Sequence, residues 1–481
     1  MRVVNKFFKK YNDIPIAAKA SLWFMFCSIL QKSISFLTTP IFTRIMTTEQ
    51  YGQFSIYNSW LQIFTIITTL RLNWAVFNKG MSKYKNDRDG YTLTMQTLTT
   101  ILTTVALIIY LLFRKQINEL TELPTYIMLA IFAELYLIPA IDFWTIRKRY
   151  EYIYKPVVFR TIMMTVLNAG LGVFAVMVSE DKGIARIFSC IIVNICFGSV
   201  LFVYNVRKGR KIFTLEYARF ALLFNLPLLL HYFSQYILDQ FDRVMIQKMV
   251  SVAAAGIYSV AYNAGMVMKI ITQSINNALI PWQYDKLEKR KLKELDDTVI
   301  LIFIVVAICT VGFTAVAPEL LMILADVEYQ EATYIIPPVA LGLFFSFMYT
   351  YFANVEFYYD ANKFTMFISM AGASLNIILN YFGIKWYGYI AAAYTTLICY
   401  IIFAVSHYVY MEHCVRKNLG IKSVFNSKRL ILLGIVVIFA GGIMVLLYEK
   451  LIIRYLLILF LCIIGFVKRK VIIDMIGEIR K

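Results

Sequence analysis

The sequence predicts an all-α integral membrane protein of about fourteen transmembrane helices, in two pseudo-repeated six-helix bundles plus two C-terminal helices, with both termini cytoplasmic. Three observations predict it. Of the 481 residues, 60% are hydrophobic and only 16% charged, and the mean hydropathy is +0.67; a soluble chain is nearer half apolar and about a quarter charged. The surplus apolar surface needs a solvent of its own, and lipid is that solvent. Runs long enough to cross a bilayer, roughly 20 residues each, follow one another along nearly the whole chain. The basic residues also segregate. With the N-terminus cytoplasmic, 33 of the 48 lysines and arginines fall in inside segments and 10 in outside loops, which is the bias that orients membrane proteins.

The segment 1–20 is basic and precedes a run at 20–42 that is long enough to span. A cleavable signal peptide would have a shorter apolar region and a small-residue cleavage site, so this run is expected to stay as the first helix. Further spans are expected at 53–73, 91–113, 124–146, 157–178, 184–206, 218–240, 252–275, 298–317, 333–355, 364–384, 388–411, 430–447 and 451–467. The seventh has the weakest hydropathy, and the last two are short, joined by Tyr448–Glu449–Lys450. These spans divide into an N-terminal bundle (1–213), a C-terminal bundle (214–426) and a final segment (427–481) of two helices and a basic cytoplasmic tail. Pro40 is expected to end the first helix, Pro139 lies late in the fourth, and Pro337 and Pro338 near the start of the tenth; all are sites where a helix can bend.

The charge and loop pattern excludes several functions. The net charge of +19 is mostly topogenic bias against anionic headgroups, so no nucleic-acid partner is expected. The outside loops are short, and the longest, near 318–332, is acidic (Glu319, Asp326, Glu328, Glu331). None could hold a soluble catalytic domain. The seven cysteines lie in apolar runs or, for Cys414, beside a basic loop, without a CxxC pair. They read as small core residues rather than disulfides or zinc ligands.

Polar groups within the spans carry the functional signal, because a charge at the bilayer centre costs roughly 2.5–3.5 kcal/mol and faces a cavity or a partner. Lys32 falls near the middle of span 1, Glu134 of span 4 and Lys269 of span 8, with Arg71 toward the inner end of span 2, Arg160 one turn into span 5 and Asp142 near the inner end of span 4. Polar stripes at helical spacing accompany them: Ser28, Lys32, Ser35 and Thr39; Asn58, Gln62, Thr65 and Thr69; His231, Gln235, Asp239 and Asp242; Lys269, Gln273 and Asn277; Ser369, Asn376 and Asn380. A polar stripe on a spanning helix faces other helices or water, so spans 1, 2, 7 and 8 are expected to surround a hydrated space. Four basic groups (Lys32, Arg71, Arg160, Lys269) face one well-centred acid, Glu134, and such a cavity attracts an anion, with phosphate suited to Lys and Arg together. Two alternatives compete. Arg71 and Arg160 could snorkel to the interface, and Glu134 could be a coupling-ion site or the salt-bridge partner of a lysine. For His231 the competing reading is a hydrogen-bonded packing residue, and His407 and His413, near the inner end of span 12, are not expected to carry function.

The segment Tyr51–Gly52–Gln53–Phe54–Ser55 is echoed by Ala255–Gly256–Ile257–Tyr258–Ser259, each after a helix ending in an arginine, Arg44 and Arg243. The echo pairs spans 1–6 with spans 7–12, as in transporters built of two related halves. The run Thr39-Pro-Ile-Phe-Thr-Arg-Ile-Met-Thr-Thr-Glu-Gln-Tyr-Gly-Gln-Phe-Ser resembles the first-loop signature of Wzx-type bacterial polysaccharide flippases, of the multidrug/oligosaccharidyl-lipid/polysaccharide exporter superfamily. Thr69-Leu-Arg-Leu-Asn, Val76-Phe-Asn-Lys-Gly-Met-Ser-Lys-Tyr, Asp239-Gln-Phe-Asp-Arg-Val-Met-Ile and Ala255-Gly-Ile-Tyr-Ser-Val-Ala-Tyr are similar to the same group, and the resemblance spans most of residues 1–420.

The resemblance implies a secondary transporter rather than an enzyme. It would flip undecaprenyl-pyrophosphate-linked oligosaccharide repeat units from the cytoplasmic to the outer leaflet of the bacterial cytoplasmic membrane, by alternating access of two bundles, for capsule, O-antigen or exopolysaccharide synthesis. The partners implied are the lipid-linked oligosaccharide, membrane lipids, and the polysaccharide polymerase and chain-length machinery. The last two helices would match the pair that in the lipid II flippase is associated with a groove for the lipid tail. Lys32, Arg71, Arg160 and Lys269 would form the cationic cavity; Arg71 stands where many relatives have glycine. Glu134, Asp142, His231, Gln235, Asp239, Gln62 and Gln273 are the coupling-ion or polar-cavity candidates. No metal or other cofactor is expected, and no Walker A pattern occurs, which leaves a proton or sodium gradient acting through Glu134 or Asp239 as a candidate energy source. Two rivals remain: a drug or other lipid-linked precursor exporter of the same fold, whose drug form predicts a net acidic cavity, and a membrane polysaccharide polymerase or glycosyltransferase, which usually needs a large outer loop.

Overall fold

The computed structural model describes residues 15–209, 211–359, 361–420 and 424–467. The segments 1–14 and 468–481, which include both termini expected to be cytoplasmic, lie outside the described residues. Among the described residues the secondary structure is entirely helical, and ten helices are long and apolar enough to cross a membrane. The backbone must meet its own hydrogen bonds in hydrocarbon, which leaves the helix as the form a non-barrel chain can take there. The chain divides into two compact units, 1–233 and 234–481.

The N-terminal unit is built from α1 (Ile16–Ile45), α2 (Thr48–Thr69), α3 (Ala75–Lys83), α4 (Arg88–Leu112), α5 (Arg114–Thr121), α6 (Thr125–Tyr150), α7 (Tyr154–Val178), α8 (Lys182–Lys208) and α9 (Leu215–Asn225), ending within α10 (Leu229–Tyr236). Pro40 does not end α1, which continues to Ile45. The helix turns into α2 through a capping box, with Thr47 and Gln50 each accepting from the other's backbone N–H. Helix α6 packs against α8, with the Gly198 backbone so close to Leu137 that an added Cβ would sit 2.7 Å from the leucine Cβ. Helix α9 packs on α3 and α4, so residues 215–225, the start of the seventh predicted span, lie with the N-terminal unit.

The C-terminal unit continues through a π-turn at Ile237–Phe241 into α11 (Asp242–Met249), then α12 (Val252–Gly265), α13 (Val267–Glu288), α14 (Leu292–Ala315), α15 (Ala317–Leu324), α16 (Ile336–Tyr358), α17 (Asn362–Tyr387), α18 (Ala391–Leu419), α19 (Ser427–Leu446) and α20 (Leu451–Val467). Its core is aromatic. Phe303 is fully buried, and the rings of Phe347 and Tyr351 meet it edge-on, each at 5.6 Å.

Two predicted spans are corrected, and one predicted loop proves helical. The seventh, 218–240, is a chain of short pieces, broken by a 3₁₀ turn at Leu226–Leu228 and by the π-turn. Pro227 lacks the amide that would continue the α-helix there. The eighth, 252–275, is two helices that meet at Met266. Gly265 precedes the break, and an added Cβ there would lie 2.7 Å from a Val339 methyl, so α12 and α16 approach closely at a residue with poor helix propensity. The acidic outer loop at 318–332 is ordered as α15 and a 3₁₀ segment, Val327–Ile335.

The two C-terminal helices pack on the same unit, α19 along α14 and α16, and α20 against α14. Arg454 of α20 is buried and bonds the Glu319 carboxylate of α15, while the Tyr455 hydroxyl donates to the same carboxylate at 2.8 Å. The Tyr448 hydroxyl donates to the Thr314 carbonyl at 2.9 Å. Arg454 thus fastens the last helix to the unit. Removing one partner of a fully buried ion pair costs about 3–5 kcal/mol, because the other charge is stranded. Glu319 retains 30% of its side-chain exposure, so the expected loss for Glu319→Ala is smaller, about 2 kcal/mol. Thermal unfolding in detergent checks this: the midpoint should fall by several degrees, and an unchanged midpoint would show that the pair does not fasten α20.

Candidate functional site

In the N-terminal unit, the polar site is built around two carboxylates of α6. Glu134 is fully buried and accepts hydrogen bonds from the Tyr57 hydroxyl of α2 and, at 2.7 Å, from Asn194 Nδ2 of α8. Both donors are neutral, so the salt bridge to a lysine considered from the sequence is not what holds this carboxylate. Two turns further on, Asp142 accepts from Asn73 Nδ2 at 2.7 Å, with Arg160, Arg71 and Arg149 within electrostatic reach. Arg160 donates to Thr145 Oγ1 at 2.6 Å, lies 5.9 Å from the Trp144 ring and keeps a buried Nε without a hydrogen-bond partner. This arginine therefore turns inward to α6 rather than snorkelling away from it. A basic cluster with one acid at its centre results.

Arg71 stands past the end of its helix rather than inside it. Helix α2 stops at Thr69, and Leu70 and Arg71 both adopt left-handed backbone, with φ of +46° and +54°. Such conformations cost non-glycine residues about 1–3 kcal/mol each. Asn225 holds the turn by donating to the Leu70 carbonyl, and Thr69 Oγ1 accepts from the Arg71 amide at 3.2 Å. The glycine that the family resemblance places at position 71 is the residue this φ favours. The arginine therefore bears a backbone cost that a glycine there would not.

In the C-terminal unit, Lys269 lies in the first turn of α13, not at mid-helix, because the predicted span is broken at Met266. Its Nζ meets the Asp239 carboxylate at 2.9 and 3.2 Å. Asp239 sits in the π-turn, which inserts one residue into the helical register. The insertion separates the predicted stripe: Asp239 stays half-exposed beside Lys269, whereas Asp242 is fully buried and bonded to the Tyr258 hydroxyl at 2.6 Å and Asn380 Nδ2 at 2.7 Å. Asn376 and Asn380, read from the sequence as a stripe on span 11, thus face a packed polar cluster with Asp242.

The remaining predicted residues are less buried or bond within their own helices. Lys32, Gln62 and Gln273 are exposed on their helices, and Gln235 is half-buried. Ser28, Thr39, Thr65 and Thr69 bond carbonyls of their own helices, the ordinary use of hydroxyls in spans. The side chain of His231 lies outside the described residues.

Sequence reasoning missed a buried pair. Glu356 of α16 is fully buried and meets His407 Nδ1 at 2.9 and 3.1 Å and Thr365 Oγ1 at 3.0 Å. The signal was present as a glutamate one residue beyond the end of a predicted span, with a histidine in the twelfth. Arg149, which joins the Asp142 cluster, lies in sequence beyond the end of the fourth predicted span.

A family profile described as polysaccharide biosynthesis protein matches residues 17–285, more than half of the chain. The chain belongs to that family. A second profile, MatE, matches residues 227–382. Two proteins of Haemophilus influenzae are similar: Lsg locus putative protein 1, 24% identical over 72% of this chain and 86% of its own length, and an uncharacterized membrane protein, 22% identical over 73% and 86%. The fold is shared with the lipid II flippase MurJ in an inward closed conformation, at a TM-score of 0.67 and 13% identity, covering 94% of this chain and all of that one. An inward-facing multidrug resistance MATE family transporter of the MOP superfamily aligns at a TM-score of 0.61 and 12% identity over 82% and 96%. This is a multi-pass membrane protein of the polysaccharide biosynthesis family with the fold of MurJ.

The strained arginine gives a test within this site. Arg71→Gly removes the charge and relieves the left-handed backbone, so its thermal midpoint should rise, by about 1 kcal/mol of stability. A lowered midpoint would mean that contacts of the Arg71 side chain outweigh the strain.

Proposed function

We propose that this protein translocates a polyprenyl-pyrophosphate-linked oligosaccharide repeat unit from the inner to the outer leaflet by alternating access, as the resemblance to Wzx-type flippases implies. The observation that carries the reading is the excess of basic groups in the polar parts of the spans: Arg71, Arg149 and Arg160 surround Asp142, and Lys269 stands in a half-exposed pair with Asp239. A pyrophosphate would add negative charge to a cluster of three arginines about one acid, and charge-assisted bonds from Lys and Arg suit it. Lys269 is already neutralised by Asp239, so an arriving pyrophosphate must compete with this carboxylate. Protonation of Asp239, or its movement with the π-turn, would release the lysine for substrate. A proton gradient could act at this exchange. Lys32, Gln62 and Gln273, exposed on their helices, would contact sugars or phosphate. The polymerase and chain-length machinery would receive the unit on the outer face.

The MatE match and the MATE-like fold favour one second reading, export of a multidrug type. Such an exporter of cations would rely on Asp239 and gain nothing from the arginines.

Liposomes containing a fluorescent undecaprenyl-pyrophosphate oligosaccharide distinguish the two. The wild type should move it, Lys269→Ala should be slower by about ten- to a hundredfold, the span of one charge-assisted hydrogen bond, and Asp239→Asn should not lose activity to the same degree. Efflux of a lipophilic cation, abolished by Asp239→Asn and indifferent to Lys269→Ala, would overturn the flippase reading in favour of drug export.

A further inference from the structure

The N-terminal unit carries a second basic feature that the transport reading does not use. Helix α3 is short and amphipathic. Val76, Phe77, Gly80 and Met81 are buried against α4, α6 and α9, while Asn78, Lys79, Ser82 and Lys83 are exposed, as is Trp74 just before it. An exposed tryptophan followed by an amphipathic helix with lysines on its polar face is the pattern of a helix lying in the membrane interface. The helix sits at the end of the unit where Arg88, Arg147, Lys148 and Arg149 gather. By the charge bias this is the cytoplasmic end.

A cavity of about 450 Å³ opens between the end of α3 and helix α9. Its floor is aromatic, with Tyr84 and Phe220, and Lys83 and Arg219 line it alongside Glu216. Lys83 Nζ is held 4.5 Å from the Phe220 ring centre and 5.0 Å from that of Tyr84, and Lys79 Nζ lies 4.7 Å from that of Phe224. These contacts orient the ammonium groups without cancelling their charge. The nearby acids are engaged elsewhere: Asp87 caps α4 at the Gly90 amide and accepts from the Tyr217 hydroxyl, and Asp89 pairs with Arg147. Among the described residues that line the cavity, Glu216 is the one carboxylate beside two basic groups, Lys83 and Arg219, with Lys79 nearby on the same helix as Lys83. At the rim, Leu215 and Leu223 are 73% and 65% exposed, an apolar edge suited to acyl chains.

We propose that this cavity binds the headgroup of an anionic phospholipid of the inner leaflet, of the phosphoglycerol type. The phosphate would lie between Lys83 and Arg219, with the acyl chains over Leu215 and Leu223. The volume lies within the range of small-ligand sites, and basic pockets on the cytoplasmic side of spans recognise anionic headgroups. The site is separate from the Asp142 cluster and does not depend on which substrate is moved.

Native mass spectrometry of the full-length protein, released from detergent with phosphatidylglycerol, phosphatidylethanolamine or phosphatidylcholine, tests this. The wild type should retain phosphatidylglycerol in preference to the other two, and the double variant Lys83→Ala/Arg219→Ala should lose that preference by about thirtyfold, two basic residues' worth. Lys289→Ala, at an exposed lysine paired with Asp285, should retain it. Thermal midpoints in lipid-free detergent check that the double variant folds; a collapsed midpoint sends the same comparison to Lys83→Gln alone, expected to lose about fivefold. Equal retention of phosphatidylglycerol by wild type and folded variants overturns the proposal. So does retention of undecaprenyl pyrophosphate that displaces phosphatidylglycerol and is lost in the variants, which would assign the cavity to the carrier lipid.

Discussion

Charge placed in hydrocarbon has to be answered inside the protein, and both units are organised by that constraint. A single unpaired ion in a span costs more than most helix contacts return. Among the described residues, five intramembrane acids have donors: Tyr57 and Asn194 for Glu134, Asn73 for Asp142, Lys269 for Asp239, Tyr258 and Asn380 for Asp242, and His407 and Thr365 for Glu356. These bonds tie helices that are distant in sequence, so they position the site and fix the packing together. Arg454 extends the rule to the last helix, which is held by its ion pair with Glu319 as well as by apolar packing.

The irregular segments are where function and geometry meet. The left-handed turn at Leu70 and Arg71, the π-turn at Asp239 and the break at Met266 each place a charged residue at or near a departure from the α-helix. A regular helix offers no free backbone groups and little room to change. Its interruptions do both, and they are tolerated in a membrane where the backbone is buried or faces polar surroundings. The two halves use this device differently, with arginines gathered about a single acid in the first and a matched lysine–aspartate pair in the second. The sequence echo has a structural counterpart in register: Thr47 and Ser251 are both N-caps, and Gly52 and Gly256 each fall five residues after their cap.

Much of the site was legible as residue type and depth. Glu134, Asp142, Asp239 and Lys269 stood out because ionisable groups in apolar runs are rare. Their partners did not stand out, since Asn73, Asn194 and Tyr57 are ordinary in composition and become informative only when a fold brings them to a carboxylate. The stripe from His231 to Asp242 misled for a definite reason: it assumed a constant helical period, and one extra residue in a π-turn rotates everything beyond it. Arg71 misled similarly, because a hydropathy window cannot see the two left-handed residues that end α2.

By itself the sequence determined the solvent, the helical class, the sided distribution of charge and the family, because each depends on composition or on local pattern. Lipid admits only chains with such apolar runs, and the topogenic bias is a count of lysines and arginines. The tertiary structure alone decided which partners the buried charges take and where the helices break. Those outcomes depend on distances between residues tens to more than a hundred positions apart, as between Asp239 and Lys269 or Asp242 and Asn380. Packing sets such distances, and no local pattern encodes them.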